Sequence, residues 1–170
     1  SQLEDLTGSS RIVRSMPNLG AKIGRSVTGW SASGDVSETD RDHIKLLFSA
    51  IGMSVELSSE ELIDPFSVIA GSGPAYVFGL AELLQANAET TLGLSSKDAS
   101  KIASEVIAAS SQLLDEGSKS AAEWRKAVTS KAGITEAVIT SLTDKNIQQT
   151  FDDALAAGTL RSKSLSKDHD

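Results

Sequence analysis

The spacing of apolar residues changes about a third of the way along the chain. Before residue 59, apolar and polar residues alternate in short stretches that contain β-branched side chains, a pattern typical of strands. From Ser59 onward the apolar residues recur three and four positions apart, which is typical of helices. Three strands are predicted, in RIVRSMP (11–17), SVTGWSAS (26–33) and MSVEL (53–57). We therefore predict a small strand-containing segment followed by a helical bundle.

One helix is predicted between the second and third strands, in SETDRDHIKLLFSAIG (37–52). Ser37 or Thr39 can cap its first turn, and Gly52 can end it. Its buried face is predicted to consist of Ile44, Leu47, Phe48 and Ile51. Residues 1–10 are mostly polar, and we expect them to be a frayed end.

Six further helices are predicted in the second part of the chain. Their ranges are 60–71, 74–93, 95–117, 120–130, 135–145 and 146–165. The helix over 74–93 is apolar nearly all round, so we expect it to be buried on most sides, within its own domain or by a partner chain. The last residues, SKDHD (166–170), are expected to form a disordered tail.

Composition excludes several kinds of function. The formal charge of −7 argues against non-specific binding of nucleic acid, which needs clustered Lys and Arg. The chain has no cysteine, which excludes disulfides, thiolate zinc sites and thiol nucleophiles and fits a reducing compartment. No apolar run approaches the roughly 18 residues of a membrane helix. We expect neither a membrane span nor a metal site.

The stretch VIAGSGPAYVF (68–78) allows several interpretations. It lacks the GxxxxGK[ST] of a phosphate loop and the third glycine of a dinucleotide loop. Its serine does not fit the GxSxG of a nucleophile turn, and neither histidine suits it as a partner. A tight joint between two helices fits better: Gly71 would end one helix in a left-handed conformation, and Pro74 would open the next. The N–H groups at that helix start would also suit an anion.

The second informative stretch is AVTSKAGITEAV (127–138), which connects two predicted helices. Small residues and hydroxyls at the start of a helix suit a carboxylate or phosphate held by main-chain N–H groups. An ordinary capped turn has the same composition and is the commoner occurrence, so the residues alone favour it.

Together these stretches resemble pyrroline-5-carboxylate reductase, in order and along nearly the whole chain. The most specific matches are RIVRSMPN (11–18), LIDPFSVIAGSGPAYVF (62–78) and AVTSKAGITEAV (127–138). Shorter matches are KIGRSVTGW (22–30), LFSAIGMSVEL (47–57) and TLGLS (91–95). The combination is strong, although each piece alone is weak.

The resemblance implies a mainly α fold: a helical bundle dimerisation domain, like the C-terminal domain of 6-phosphogluconate dehydrogenase, preceded by a short α/β remnant of a Rossmann domain. Residues 1–58 would be that remnant, residues 59–165 the all-helical dimerisation and substrate domain, and 166–170 a tail. The dinucleotide-binding domain would be largely absent, because the chain has no GxGxxG motif and no complete βαβ unit is apparent.

The activity implied by the resemblance is reduction of 1-pyrroline-5-carboxylate to L-proline, the last step of proline biosynthesis, by hydride from NADPH or NADH. The partners implied are a second copy of the chain, in a dimer or a larger oligomer built from dimers, and the small-molecule substrate, in the cytoplasm. Such a chain would be inactive without its cofactor domain. Two alternatives stay open: a catalytically inactive homodimerisation module, and a related imine or acid dehydrogenase.

Site residues follow from the resemblance position by position. Ser130, Gly133 and Thr135 are the expected substrate contacts, and Met16, Pro17 and Asn18 are expected to lie near the cofactor. No catalytic side chain can be assigned, and the proton donor is not apparent. The loop departs from the family pattern VTS[PK]GGTT, because Ala132 replaces a glycine and Ile134 replaces a threonine. The family's MPNTP also appears here as MPNLG.

Overall fold

The computed structural model describes residues 2–167, and the chain divides into two compact units. The first unit contains the residues up to Ala75 together with those from Leu155 onward, and the second contains Tyr76–Ala154. All three strands lie in the first unit, and the second is entirely helices and their connections. The predicted order of a strand-containing segment followed by helices is confirmed.

The first unit is built around a three-stranded sheet of order β1-β2-β3. Its strands are β1 (Val13–Met16), β2 (Ser26–Ala32) and β3 (Gly52–Glu56). β1 pairs antiparallel with β2, whereas β2 pairs parallel with β3. Helix α2 (Glu38–Ser49) connects the two parallel strands, so the chain does contain one complete βαβ unit. The contrary expectation was wrong because strand direction depends on long-range pairing, which residue spacing does not reveal.

The core of this unit lies around Trp30 on β2, which is fully buried and donates its indole N–H to Ser54 Oγ at 3.0 Å. The ring of Phe48 on α2 lies 6.4 Å from it. Ser37 caps α2, as one of the two predicted alternatives. The predicted buried face of α2 is only partly right, because the side chain of Leu47 is 61% exposed.

The two ends of the chain differ from expectation. Residues expected to be frayed include a short helix, α1 (Gln2–Thr7). The last helix, α8 (Ile147–Lys167), continues two residues into the expected disordered tail. The rest of that tail, residues 168–170, lies outside the described residues.

The glycine-rich joint is a helical deformation rather than a break. Helix α3 (Ile63–Phe66) runs into a π-turn, Ser67–Gly71, and α4 (Gly73–Leu92) follows. The Ser72 N–H donates to the Ser67 carbonyl at 2.8 Å, which closes the π-turn. The predicted left-handed conformation of Gly71 is wrong. A Cβ at Gly71 would lie 3.0 Å from Met16 Cε, so a close approach between elements is the reason for glycine there.

The same region bears on the expectation that the chain has no membrane span. The continuous helical stretch Glu60–Leu92 is long enough to cross a membrane and has a mean hydropathy of 1.3, with only 6% of its most apolar window buried. The expectation rested on uninterrupted apolar runs, and the interruptions around Gly71 and Pro74 do not end the helical stretch. Length and composition alone are weak support for a span, since core helices of soluble proteins pass the same test.

The second unit consists of helices that bury little of their own apolar surface. It contains most of α4 and the start of α8, together with α5 (Ser96–Asp115), α6 (Ala121–Ala127) and α7 (Ile134–Asp144). Within Tyr76–Ala154 the buried residues are only Ala99 and Ala103. Its exposed large apolar side chains include Val77, Phe78, Leu80, Leu83, Ile102, Val106, Leu113, Leu114, Val138 and Phe151. An exposed apolar surface of this kind marks an interaction surface.

Candidate functional site

The loop between α6 and α7 is shaped by main-chain bonds within a few residues. α6 begins with a capping box, in which Ser120 and Glu123 each bond the other's main-chain N–H. At its end, the Thr129 hydroxyl donates to the Arg125 carbonyl at 2.7 Å. The Gly133 N–H then donates back to the Ser130 carbonyl at 3.0 Å. The chain therefore turns tightly between Ser130 and Gly133 before α7 begins.

Two of the predicted substrate residues come together in this turn. A Cβ built on Gly133 would lie 2.2 Å from Ser130 Oγ and 3.0 Å from the Ser130 carbonyl oxygen. The serine hydroxyl therefore lies directly against the α-carbon of Gly133. Only glycine permits this arrangement, because any side chain would displace the hydroxyl or the main chain.

The start of α7 is open to an anion. Gly133 is its N-cap residue and supplies no side-chain hydrogen bond to the first N–H groups of the helix. Those N–H groups and the helix dipole favour negative charge. Thr135, the third predicted substrate residue, is half-buried in the first turn, whereas the Ile134 side chain is 88% exposed. A hydroxyl, a glycine and a helix start thus meet within six residues, an arrangement suited to a carboxylate.

Ala132 has the most unusual main chain in the loop, with φ of 56°. That left-handed conformation costs an L-residue roughly 1 to 2 kcal/mol relative to glycine. The Ala132 N–H donates to Glu136 Oε2 at 2.6 Å. The sequence places Glu136 in the first turn of α7, but the bond from its carboxylate back to Ala132 is apparent only in the folded loop. An acidic residue at the third position of a helix was the signal that pointed to it.

An open groove of about 580 Å³ runs along α7 beside the loop. Its lining residues are Ala132, Gly133, Glu136, Ala137, Thr140, Ser141, Asp144 and Lys145. Two carboxylates and a single ammonium group line it, so the groove itself carries a net negative charge.

The residues predicted near the cofactor lie in the first unit, at the end of β1. The Asn18 side chain is occupied by main-chain groups: its Nδ2 donates to the Ala70 carbonyl at 2.9 Å, and its Oδ1 accepts from the N–H of Gly20 at 3.0 Å and of Val27 at 3.3 Å. Met16 packs against Gly71. Both residues join the strand end to the π-turn, and their proximity to a cofactor stays a prediction, as does that of Pro17.

The main cluster of charged groups in the first unit lies between α2 and β3. Glu56 accepts from Arg41 Nη1 at 2.5 Å and lies 3.1 Å from Lys45 Nζ. Burial by itself raises the pKa of the Glu56 carboxyl, but the hydrogen bonds and positive charges of Arg41 and Lys45 outweigh burial and hold that pKa below its ordinary value. The pKa of Lys45 is raised in turn, chiefly by its bond to Glu56. The arrangement is that of a structural ion pair.

Among the residues that the structure describes, no group of three or more His, Asp or Glu is placed to hold a metal ion. The two tryptophans have packing roles. Trp30 fills the core of the first unit, and Trp124 is half-buried, with its indole N–H bonded to the Leu113 carbonyl at 3.1 Å and the Lys119 ammonium 4.0 Å from its ring.

A short βαβ unit is followed in this chain by a helical segment with uncovered apolar faces, which is typical of proteins that bind a partner through those helices. Residues 60–165 match the family model for pyrroline-5-carboxylate reductase dimerisation. The chain belongs to this family, as the resemblance implied.

Individual relatives agree over nearly the whole chain. The pyrroline-5-carboxylate reductase of Staphylococcus haemolyticus is 34% identical over 167 residues, covering 98% of this chain and 61% of the relative. The structure of that enzyme from Coxiella burnetii superposes with a TM-score of 0.89 at 33% identity, covering 96% of this chain and 60% of the other. The Plasmodium falciparum structure, solved with NADP bound, gives 0.83 at 27% identity, covering 96% and 62%. This chain thus spans about three-fifths of the length of these relatives.

Proposed function

We propose that the chain is the substrate-binding and dimerising part of a pyrroline-5-carboxylate reductase, a cytoplasmic enzyme that reduces 1-pyrroline-5-carboxylate to L-proline. The observation that carries the proposal is the loop before α7, where the Ser130 hydroxyl lies against Gly133 and the helix start has no side-chain cap. A ring acid with one carboxylate suits that loop. Ser130, Gly133 and Thr135 hold the carboxylate, which fixes the ring and its C=N bond in one orientation.

The hydride of this reaction comes from NADPH or NADH, and the residues described here do not by themselves form a nucleotide site. The βαβ unit has no glycine-rich phosphate loop, and the Asn18 side chain is already occupied by three main-chain groups. We assign residues 1–58 to the end of a dinucleotide-binding domain, with Met16, Pro17 and Asn18 facing the cofactor, and residues 59–165 to the helical domain. NADP in the Plasmodium falciparum relative supports the choice of cofactor class.

The partner of the helical segment is a second copy of the chain, in a dimer or a larger oligomer built from dimers. The second unit has almost no interior of its own, since only two alanines within it are buried. Burial of exposed apolar side chains such as Phe78 and Leu83 by a partner provides the missing core. The same interface would cover apolar residues of the stretch Glu60–Leu92 with protein, so that this stretch needs no membrane.

The test uses a full-length version, in which a dinucleotide-binding domain precedes this chain. We expect oxidation of NADPH or NADH only when pyrroline-5-carboxylate is supplied, with L-proline as product. The variant Thr135→Val keeps the volume of the side chain and removes the hydroxyl, and it should raise the KM for the imine. Val128→Thr, on the exposed end of α6, is the matched control and should leave KM unchanged. Turnover that is equally fast without the imine would contradict the proposal.

The second candidate is a homodimerisation module without catalytic activity, and the nearly coreless second unit favours it for the chain as it stands. The two candidates differ in the loop rather than in the helices. If L-proline and the imine leave the Ser130–Thr135 amide signals unchanged in the full-length protein, the module is the better description.

A further inference from the structure

The loop before α7 contains a main-chain conformation that its residue type disfavours. Within residues 2–167, the non-glycine residues with positive φ are Ala132 and Asn146. Asparagine adopts the left-handed region readily, whereas alanine does so rarely. Ala132 also occupies a position where the family pattern has glycine. Something else in the loop must therefore favour the left-handed turn.

Glu136 is the residue placed to do so. It lies in the first turn of α7, where a glutamate ordinarily accepts from the N–H of the N-cap residue. Here the N-cap residue is Gly133, whose N–H is already bonded to the Ser130 carbonyl. The Glu136 carboxylate reaches one residue further back and accepts from the Ala132 N–H at 2.6 Å. Its acceptor oxygen thus bonds the residue with the disfavoured φ.

We propose that Glu136 is a positioning residue, whose carboxylate holds Ala132 in the left-handed turn and thereby keeps the Ser130 hydroxyl against Gly133. The inference rests on the proposed function, because the turn matters for activity only if it holds the substrate carboxylate. We call the hydrogen bond from the Ala132 N–H to the Glu136 carboxylate the tether. A glycine at 132 adopts the turn without the tether, so the effects of substitutions at 132 and 136 are coupled. Glu136 acts through the loop and does not touch the substrate.

The tether itself can be tested on the 170-residue chain without substrate, by NMR of residue 132. We expect Glu136→Ala to speed hydrogen exchange of the Ala132 amide about three- to tenfold, which is the effect of losing one modest hydrogen bond. In the same variant, the backbone chemical shifts of Ala132 should move away from those of a left-handed residue. Glu136→Gln keeps an acceptor oxygen and should preserve both signals in large part.

Glu123→Ala is the matched control for the loss of a helix cap. Glu123 accepts from the Ser120 N–H at 2.8 Å at the start of α6, with the same chemistry in the same compact unit. Its removal should leave the Ala132 signals unchanged. If Glu136→Ala also leaves them unchanged, or if Glu123→Ala moves them as much, the tether is refuted.

The functional part uses kinetics of the full-length protein. Glu136→Ala should raise the KM for pyrroline-5-carboxylate about tenfold with little change in kcat. Without the glutamate, Ala132 leaves the left-handed conformation, and the free energy needed to restore it on binding corresponds to about a tenfold loss of affinity. Ala132→Gly alone should leave KM near that of the wild type. The double variant Ala132→Gly with Glu136→Ala should recover most of the wild-type affinity.

The outcomes separate this inference from the proposed function. If the wild type reduces the imine but the glycine fails to rescue Glu136→Ala, then Glu136 acts directly on the ligand and the positioning role is wrong. If the wild type does not use the imine while the amide signals respond as expected, the proposed function fails and the tether stands as a structural device.

Discussion

At Gly133 the absence of a side chain lets the Ser130 hydroxyl approach the main chain of the loop. The nearest atom to a Cβ there is the serine oxygen at 2.2 Å, and the serine carbonyl oxygen follows at 3.0 Å. The hydroxyl oxygen can rotate away, because it lies at the end of a short side chain, whereas the carbonyl oxygen belongs to the backbone. A side chain at 133 therefore changes the position of the hydroxyl more than it changes stability.

We accordingly expect Gly133→Ala to lower the affinity of the full-length protein for pyrroline-5-carboxylate by about tenfold or more, since small misplacements at a binding site have large effects. The change in the free energy of unfolding should stay within about 1 to 3 kcal/mol. Steady-state kinetics and urea denaturation measure the two effects. Gly34→Ala, where a Cβ meets nothing within 4 Å, is the matched control and should alter neither. An unchanged KM in Gly133→Ala would contradict the assignment of this loop.

Asn18 connects elements within the first unit. Its amide joins the end of β1 to the π-turn through the Ala70 carbonyl, and its Oδ1 accepts from Gly20 and Val27. Loss of these partners leaves half-buried main-chain groups unsatisfied, so Asn18→Ala should lower the free energy of unfolding by about 1 to 3 kcal/mol.

The variant Asn18→Asp distinguishes the contribution of the amide oxygen from that of the amide nitrogen. The carboxylate still accepts from Gly20 and Val27 but cannot donate to the Ala70 carbonyl, so we expect a loss smaller than that of Asn18→Ala. Urea denaturation followed by tryptophan fluorescence measures both variants. An Asn18→Ala protein as stable as the wild type would show that the strand end and the π-turn are held by packing alone.

The ion pair between α2 and β3 gives a pH dependence. The pKa of Glu56 is lowered in the folded state, so its contribution to stability is fully present above the ordinary carboxyl value of 4.5 and is lost as the pH falls through the folded-state pKa. Glu56→Gln should therefore reduce the free energy of unfolding by roughly 1 kcal/mol at pH 7, and the difference from the wild type should disappear in acid.

Denaturation series of the two proteins from pH 7 down to acid measure this difference. Glu38→Gln is the control, because the Glu38 side chain is 91% exposed and lies 3.8 Å from Arg41. It should differ little from the wild type at any pH. A Glu56→Gln deficit that persists unchanged in acid would mean that the lost packing, rather than the charge, was responsible.

At the scale of the whole molecule, the second unit buries few of its apolar side chains, and the proposed association of two chains would cover them. A chain of 17.8 kDa should sediment at twice that mass at micromolar concentration. Phe78→Glu or Leu83→Glu places a charge on an apolar face that is 55% or 64% exposed in the single chain, and burial of that charge in a dimer is strongly unfavourable.

We expect either variant to sediment as a monomer or to lose its helical content on dilution. Ser118→Glu, in the exposed turn between α5 and α6, adds the same charge outside the apolar faces and should leave the mass at that of the dimer. A wild-type chain that remains a well-folded monomer would contradict the proposed partner.

The sequence by itself determined the elements and the family. Alternation and helical spacing predicted β1 to β3 and the later helices closely, because strands and helices report their period in local residue order. Ser37, one of the two caps predicted for α2, marks a helix start through capping chemistry that depends on two or three neighbouring residues. The ordered motifs from MPN to VTSKAG identified the family.

Only the tertiary structure decided the strand directions, the exposure of side chains and the conformations of the π-turn and the loop. In each case the reason is a contact that residue order does not reveal. The direction of β3 depends on pairing with β2, and the exposure of Leu47 depends on what α2 packs against. The π-turn at Ser67–Gly71 contacts Met16 and Asn18, which lie some fifty residues earlier. The left-handed Ala132 and its bond to Glu136 required the folded loop, because residue type argues against that conformation and only the surrounding geometry overrides it.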